Sequence, residues 1–327
     1  MAEKILTVSI AAYNVEKYIR KCIESIYMCG ENTKRKIEVI AVDDGSTDNT
    51  SCILDEIKDE IPELIVVHKK NGGYGSTINA SLSIANGKYF KQLDGDDWFE
   101  SLNIDSYIDY LDKVDSDIVV SPHYCDFEVT GESKIVPLSK MFSECQNICD
   151  LESDFKIVMH ELAFKTSIAK ENKIVISENC FYTDNELVLL PFLYSKTIGS
   201  YDKGIYHYRI GREGQSISKS GVKKHYQDIR KVSSKIMKKG LEDIVDDSAG
   251  KKKFVYDKIS EVNNSVYIYY MIKNTREARD ELIKYDHMMK RKYPMFYELR
   301  YGRVVRVFRI LPKFFYKPLA RYVLSKM

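Results

Sequence analysis

KQLDGDDWFE, residues 91–100, ends a short apolar run with four acidic side chains in ten positions, three of them set around Gly95. Like charges held this close repel one another, so the stretch asks for something that offsets the repulsion. KYFKQLD (88–94) reads as a strand, and Gly95 lets the chain turn sharply where that strand runs out. Asp94, Asp96 and Asp97 then stand together at a strand end as hard oxygen ligands, a set that suits Mg²⁺ or Mn²⁺ and leaves coordination positions for substrate phosphates. The same acids could instead cap the helix that follows.

Working outward, the chain before this stretch alternates short apolar runs with amphipathic segments. ILTVSIAAY (5–13), IEVIAVDD (37–44) and LIVVHKK (64–70) read as strands. Between them, helical spacing over 15–28 (Ile19, Cys22, Ile23, Ile26), the segment SCILDEIKDEI and TINASLSIANG predict helices. IDSYIDYLDKV adds another helix, and DIVVSPHY (117–124) a fifth strand. Strand–helix–strand at this rhythm implies parallel pairing through right-handed crossovers. The fold class is an open, mostly parallel α/β sheet flanked by helices, whose ligands bind beyond the carboxyl ends of the strands. Asp43 and Asp44, the NGG loop at 71–73 and the DGDD cluster all stand at that edge.

The composition, 44% hydrophobic and 30% charged with seven prolines in 327 residues, is that of a folded globular chain. A formal net charge of +2 gives no sign of a general nucleic-acid binder. Seven cysteines without a CxxC pair read as free thiols in a reducing compartment. No apolar run approaches the ~20 residues that span a bilayer, so the expected location is cytoplasmic.

The blocks SIAAYN (9–14), EVIAVDDGSTDNT (38–50), NGGYGSTINASLSIANGKY (71–89) and LDGDDWF (93–99) resemble, in order and spacing, the family 2 glycosyltransferases with the GT-A fold, over residues 5 to about 220. That resemblance implies transfer of a sugar from a nucleotide-diphosphate donor with inversion at the anomeric carbon, helped by Mn²⁺ or Mg²⁺. By the same resemblance Ala11 and Tyr13 line the base pocket. Asp43 accepts a hydrogen bond from the base, which favours uracil and hence UDP. Gly73 and Gly95 belong to the donor-binding loops, and Asp94 and Asp96 are the DXD pair, with Asp96 the more direct metal ligand. Two positions depart from the family pattern: Ala11 stands where proline is common, and Ile78 where arginine is common, so Ile78 is given no role.

FYTDNELVLLPF (181–192) resembles the family segment that carries the catalytic base at a helix start. Asp184 takes the base position, Thr183 replaces the usual glutamate, and Glu186 is the alternative base or an acceptor-binding residue. A position near a helix N-terminus favours an ionised, low-pKa Asp184. In YHYRIGREGQSIS (206–218), Arg209 and Arg212 fit donor phosphate oxygens, and His207 is either a third metal ligand or, preferred here, a structural histidine. MHELAFKT (159–166), in a segment expected to be helical, lies on the acceptor side with His160 and Glu161 read as structural.

The expected organisation is a catalytic unit over 1–220, with a nucleotide-sugar half to about 125 and an acceptor half after it, followed by a helical region over 221–327. After Glu298 no acidic residue occurs, while arginines recur at steps of three from Arg300 to Arg309 among Val304, Val305, Phe308 and Leu311. Such an amphipathic stripe over 300–327 suits an anionic leaflet, with Phe314, Phe315 and Tyr316 at the headgroups, or else packs on the catalytic unit or a second subunit in a homodimer. A leaflet contact goes with a lipid-linked saccharide acceptor at the inner face of the plasma membrane. Two rival readings remain at this point: a non-catalytic nucleotide-sugar-binding scaffold, and a sugar nucleotidyltransferase.

Overall fold

The computed structural model describes residues 3–151, 154–211, 218–244, 249–311 and 315–326. The first half is β1 (Leu6–Ala12), α1 (Ile19–Tyr27), α2 (Glu31–Lys36), β2 (Ile37–Asp43), α3 (Thr50–Glu60), β3 (Ile65–His68), α4 (Tyr74–Ile84) and β4 (Tyr89–Asp94). It continues through β5 (Trp98–Phe99), α5 (Ser101–Lys113), β6 (Ile118–Val120), β7 (His123–Phe127), β8 (Ser133–Val136), β9 (Gln146–Asn147) and β10 (Leu162–Lys165). Then come α6 (Thr166–Glu171), α7 (Asp184–Tyr194), β11 (Thr197–Ser200) and β12 (Tyr206–Ile210).

One sheet runs β3-β2-β1-β4-β10-β6-β11-β9, and a smaller one runs β5-β12-β7-β8. β1 pairs in parallel with β2 on one side and β4 on the other, and β2 is buried at every position, as a strand covered on both faces must be. The register sets Ala12 level with Asp43 and Ala11 level with Asp94. The chain reverses its direction of strand addition across β1, and the crevice this opens lies between two carboxylates.

Behind the sheet follow α8 (Lys219–His225), α9 (Asp228–Asp243), α10 (Ala249–Lys273), α11 (Arg276–Lys292), α12 (Pro294–Tyr297), α13 (Arg303–Ile310) and α14 (Tyr316–Leu324). One hydrophobic core joins Ile40 and Val42 of β2 to Leu187 and Phe192 of α7, Val255 and Val266 of α10, and Phe308 and Val323 of the last two helices. The helical region therefore shares its core with one face of the sheet instead of closing a separate one.

Three local expectations are corrected. The stretch from Val158 to Lys170 is not one helix: after a 3-10 turn at Met159–Glu161, Leu162–Lys165 forms β10, paired antiparallel with β4 and β6, and only then does α6 begin. Four apolar-rich residues satisfy either pattern, and the open ladder edges of β4 and β6 decide the matter. The strand expected over 117–124 breaks at Ser121–Pro122, leaving β6 in the large sheet and sending β7 to the small one. Proline has no N–H to continue the ladder. Finally, the apolar stripe of the tail faces inward, with Val305 and Phe308 buried and the Tyr316 hydroxyl donating to the Tyr270 carbonyl at 2.8 Å. Arg309 is drawn in too: it contacts Asp286 at 3.1 Å, donates to the Tyr297 carbonyl at 2.7 Å, and stacks over Tyr297 at 3.7 Å and Tyr301 at 4.3 Å. Phe314 lies outside the described residues. Among the described residues no helix is long and apolar enough to cross a membrane.

Candidate active site

Gly95 carries the chain from β4 into the acidic turn. Its N–H donates to the Ala11 carbonyl at 3.0 Å, and a Cβ there would sit 2.8 Å from that same oxygen, so only glycine fits. The Asp97 N–H closes the turn on the Asp94 carbonyl at 3.0 Å. Carboxylate oxygens of Asp94, Asp96 and Asp97 then lie within 4.8 Å of one another. The fourth acid of the opening stretch, Glu100, serves elsewhere: it caps α5 by accepting from the Leu102 N–H. The cap alternative therefore falls on Glu100 and leaves the three aspartates to face the crevice.

The three aspartates are held differently. Asp97 is buried; it accepts from the Tyr206 hydroxyl at 2.6 Å and from the Arg209 N–H at 2.8 Å. Burial, then the charges of Asp96 and Asp94, push its pKa well above the ordinary carboxylate range despite these two bonds. Asp94 accepts from the Tyr74 hydroxyl at 2.7 Å, and its N–H donates to the Tyr206 oxygen at 3.1 Å. Asp94 and Asp96 are half-buried, and a divalent cation finds there two accessible carboxylates with a third behind them. That donor set fits Mg²⁺ or Mn²⁺.

At the neighbouring strand end, Asp43 is buried. It accepts from the Ser46 N–H at 2.9 Å and faces His68 Nδ1 at 3.1 Å, while His68 Nε2 faces Asp55 at 3.0 Å. Burial alone would raise the Asp43 pKa, but the bonds from Ser46 and His68 outweigh it and hold it below the usual value. Asp43 does not cap α3, and neither do Asp44 and Ser46; Asn49 stands at the helix start. Asp44 organises the glycine loop instead, accepting from the N–H of Gly72 at 2.9 Å, the N–H of Gly73 at 2.7 Å and Lys69 Nζ at 2.7 Å. Gly73 has φ +80°, which favours glycine, and Asn179 N would be 3.1 Å from an added Cβ. Ala11 is half-buried at the crevice, Tyr13 is 49% exposed at its rim, and Ile78 is fully buried, in keeping with its having no role.

Asp184 opens α7 after the N-cap Thr183, which follows Tyr182, a bulky residue held at φ +66°. Strain of this kind at a helix start is found where a side chain must be aimed. Solvent reaches the Asp184 carboxyl, yet protein crowds round it, and that desolvation raises its pKa above the usual carboxylate value, partly countered by the charge of Lys258 on α10. The low pKa expected from the helix start is thus corrected: crowding outweighs the dipole. Glu186 is corrected as well. It is fully buried, accepts from the Ser177 N–H at 2.8 Å and pairs with Lys235 at 2.7 Å, so it braces α9 against α7 and faces no acceptor.

Tyr74 and Tyr208 connect the two sides. Each feels the charge of Asp94 and also that of Asp184, and both are pushed upward, mainly by burial. Both tyrosines therefore lie within reach of the charge of the acidic turn and of that of Asp184. Arg209 packs beside the turn, with Nε donating to the Asp96 carbonyl at 2.9 Å and the guanidinium 4.5 Å over Tyr18 and 4.9 Å over Trp98. Arg212 lies outside the described residues. His207 is structural, stacked between Trp98 at 4.9 Å and Tyr124 at 4.3 Å, with Asp126 at 2.9 Å and Glu100 at 3.3 Å from its nitrogens. His160 is structural too, packed under Tyr208 at 4.2 Å and held neutral by burial, its pKa pushed down to about 3. Glu161 accepts from the Val158 N–H at 3.1 Å.

Sequence reasoning placed Asp44 at the ligand edge without its role in the glycine loop, and missed Tyr74, Tyr206 and His68. The tyrosines reach the site only through tertiary packing.

Residues 7–171 match the family model described as glycosyl transferase family 2. The chain is 29% identical over 220 residues to the poly(ribitol-phosphate) beta-glucosyltransferase of Bacillus spizizenii, a match covering 65% of this chain and 33% of that protein. It is 33% identical over 217 residues to the minor teichoic acid biosynthesis protein GgaB of Bacillus subtilis, covering 64% of this chain and 23% of that one. The matches thus span a third or less of these relatives' length. In fold it resembles residues 1–349 of S. aureus TarS, solved in complex with UDP-GlcNAc, with a TM-score of 0.73 at 18% identity over 99% of this chain and 92% of that one. With half of its length matched by the family model, the chain belongs to glycosyl transferase family 2, on a GT-A type sheet.

Proposed function

We propose that the chain moves a sugar from a nucleotide-diphosphate donor, with UDP as the leaving group, to a hydroxyl of a saccharide acceptor, with inversion at the anomeric carbon. The observation that supports this reading is that Tyr74, hydrogen-bonded to Asp94 at 2.7 Å, and Tyr208 each lie close enough to feel the charge of the acidic turn and that of Asp184. In-line displacement needs two such groups: a base on the acceptor side and charge stabilisation on the leaving-group side. It favours transfer over a scaffold or a nucleotidyltransferase, neither of which calls for a carboxylate opposite the phosphates.

Asp184 takes the proton from the acceptor hydroxyl. Tyr13 packs on the base, Ala11 leaves room beside it, and Asp43, kept ionised by Ser46 and His68, accepts from the imide N–H of uracil. Asp44 holds Gly72 and Gly73 so that the glycine loop keeps its backbone close to the donor. Tyr74 and Tyr206 fix Asp94 and Asp97, and Arg209 faces the diphosphate. Asp94 and Asp96 would hold Mn²⁺ or Mg²⁺, and such an ion offsets the charge that develops on the departing diphosphate.

The fold likeness to a UDP-GlcNAc complex supports a UDP-sugar donor, and the names of the two relatives support an acceptor in teichoic-acid-type polymer synthesis; that the acceptor is carried on lipid is part of the proposal. We take residues 1–220 as the catalytic unit, working in the cytoplasm at the inner membrane face with 221–327 as its support. The test is a panel of UDP- and GDP-sugars, with nucleotide release measured in Mn²⁺ and then in chelator. Release from one donor, abolished by chelator, is expected. Release from none, or release indifferent to chelator, overturns the reading.

A further inference from the structure

With the inner stripe of the tail docked, the outer faces of the last two helices remain to be explained. On α13 the exposed positions are Arg303, Arg306, Val307 and Ile310, followed at once by Leu311, a spacing of three and four that marks one face of a helix. On α14, preceded by exposed Phe315, they are Lys317, Pro318, Arg321 and Tyr322. α13 and α14 pack against each other and both against α10, so these faces look away from the body of the chain. Ile310 is 80% exposed and Tyr322 54%, and no acidic residue follows Glu298.

Single exposed apolar residues are ordinary. Here Val307, Ile310 and Leu311 form an exposed aliphatic corner at the end of α13, with Arg303 and Arg306 on the same helix, and Phe315 and Lys317 are exposed at the start of α14. Apolar side chains that reach past a rim of cations match the boundary between anionic headgroups and acyl chains. Nucleic acid would account for the arginines and leave the aliphatic corner unexplained.

We propose that this outward face of α13 and α14 docks the chain on an anionic lipid surface. The contact uses Arg303, Arg306, Leu311 and Phe315 of the stripe expected from sequence, whereas Val305 and Phe308 of that stripe are packed inside. It rests on the proposed reaction only in its purpose, since α10 carries both these helices and Lys258, whose charge reaches Asp184. A lipid-carried acceptor would then meet the cleft at the bilayer surface.

The test is flotation of the full chain with vesicles of phosphatidylglycerol and phosphatidylcholine, and with phosphatidylcholine alone. The variants are Arg303→Glu/Arg306→Glu and Ile310→Asp, all at solvent-facing positions. The unaltered chain is expected to float with the anionic vesicles only and to be released by salt, and each variant to bind about tenfold or more weakly, with UDP release in solution unchanged. A chain that stays unbound, binds both vesicles alike, or binds equally well after these substitutions overturns the proposal. So does a dimer in solution that Ile310→Asp dissociates, because the corner would then be an interface between copies. Flotation without UDP release from any donor would sink the reaction and leave this surface standing.

Discussion

Replacing Asp44 by alanine tests how the donor loop is held. The Asp44 carboxylate is 2% exposed and accepts from two backbone N–H groups, at 2.9 and 2.7 Å, and from Lys69 Nζ at 2.7 Å. Alanine leaves both N–H groups without an acceptor in a closed site, at ~1–3 kcal/mol each. Lys69 retains a quarter of its side-chain exposure and can turn toward water, so its share is discounted. The sum is about 2–6 kcal/mol, which brackets the range found when one partner of a buried charged pair is removed. For a chain of 327 residues that corresponds to a fall in Tm of about 3–9 °C. Denaturant unfolding would measure the loss, and donor titration should show weaker binding because Gly73 is no longer fixed. Lys69→Met strips the buried carboxylate of its cation but leaves both N–H bonds to hold it, and should cost about 1–3 kcal/mol, less than Asp44→Ala. If Asp44→Ala lost no more than Lys69→Met, the loop would be held by something other than this carboxylate.

Three further outcomes are expected. His68 lies between Asp43 and Asp55 and its pKa is raised, because their hydrogen bonds outweigh the opposing effect of burial. Its contribution to stability is complete below the unfolded value of about 6.5 and is lost as pH rises through the elevated folded value. KM for the donor should therefore rise over that alkaline interval, and a His68→Gln variant with an unchanged KM–pH profile would refute the link to Asp43. Arg309→Met strands the buried Asp286 carboxylate and should cost about 3–5 kcal/mol, part of it recovered by adding Asp286→Leu; equal stability of single and double variants would contradict the pairing. Lys235→Met leaves Glu186 charged and fully buried, and should destabilise by a similar ~3–5 kcal/mol with kcat of the remaining folded enzyme unchanged. A selective loss of kcat would return Glu186 to the chemistry.

The parallel half of the sheet was legible because its strands are buried on both faces and so read as continuous β-branched runs, as β2 does at all seven positions. The acidic turn was legible because Gly95 and its neighbours are contiguous in sequence. What could not be read depended on partners far along the chain. β10 is a strand only because β4 and β6 offer it edges, and Glu186 is a brace only because Lys235 reaches it 49 residues later. The raised pKa of Asp184 has the same origin, since helix-start chemistry is local whereas the crowding comes from tertiary packing that the segment itself does not reveal. The tail shows the limit most plainly: its amphipathic period was visible, but the choice of which face meets the core belongs to α10.

The central claim is that Asp184 serves the acceptor while Asp94 and Asp96 serve the donor. Asp184→Asn, measured for both UDP affinity in Mn²⁺ and transfer turnover, separates those roles. The account expects unchanged affinity and turnover lowered by about 10²-fold or more, with thermal stability kept or increased because a crowded carboxylate has been neutralised. Near-normal turnover, or loss of UDP binding in step with turnover, would contradict it.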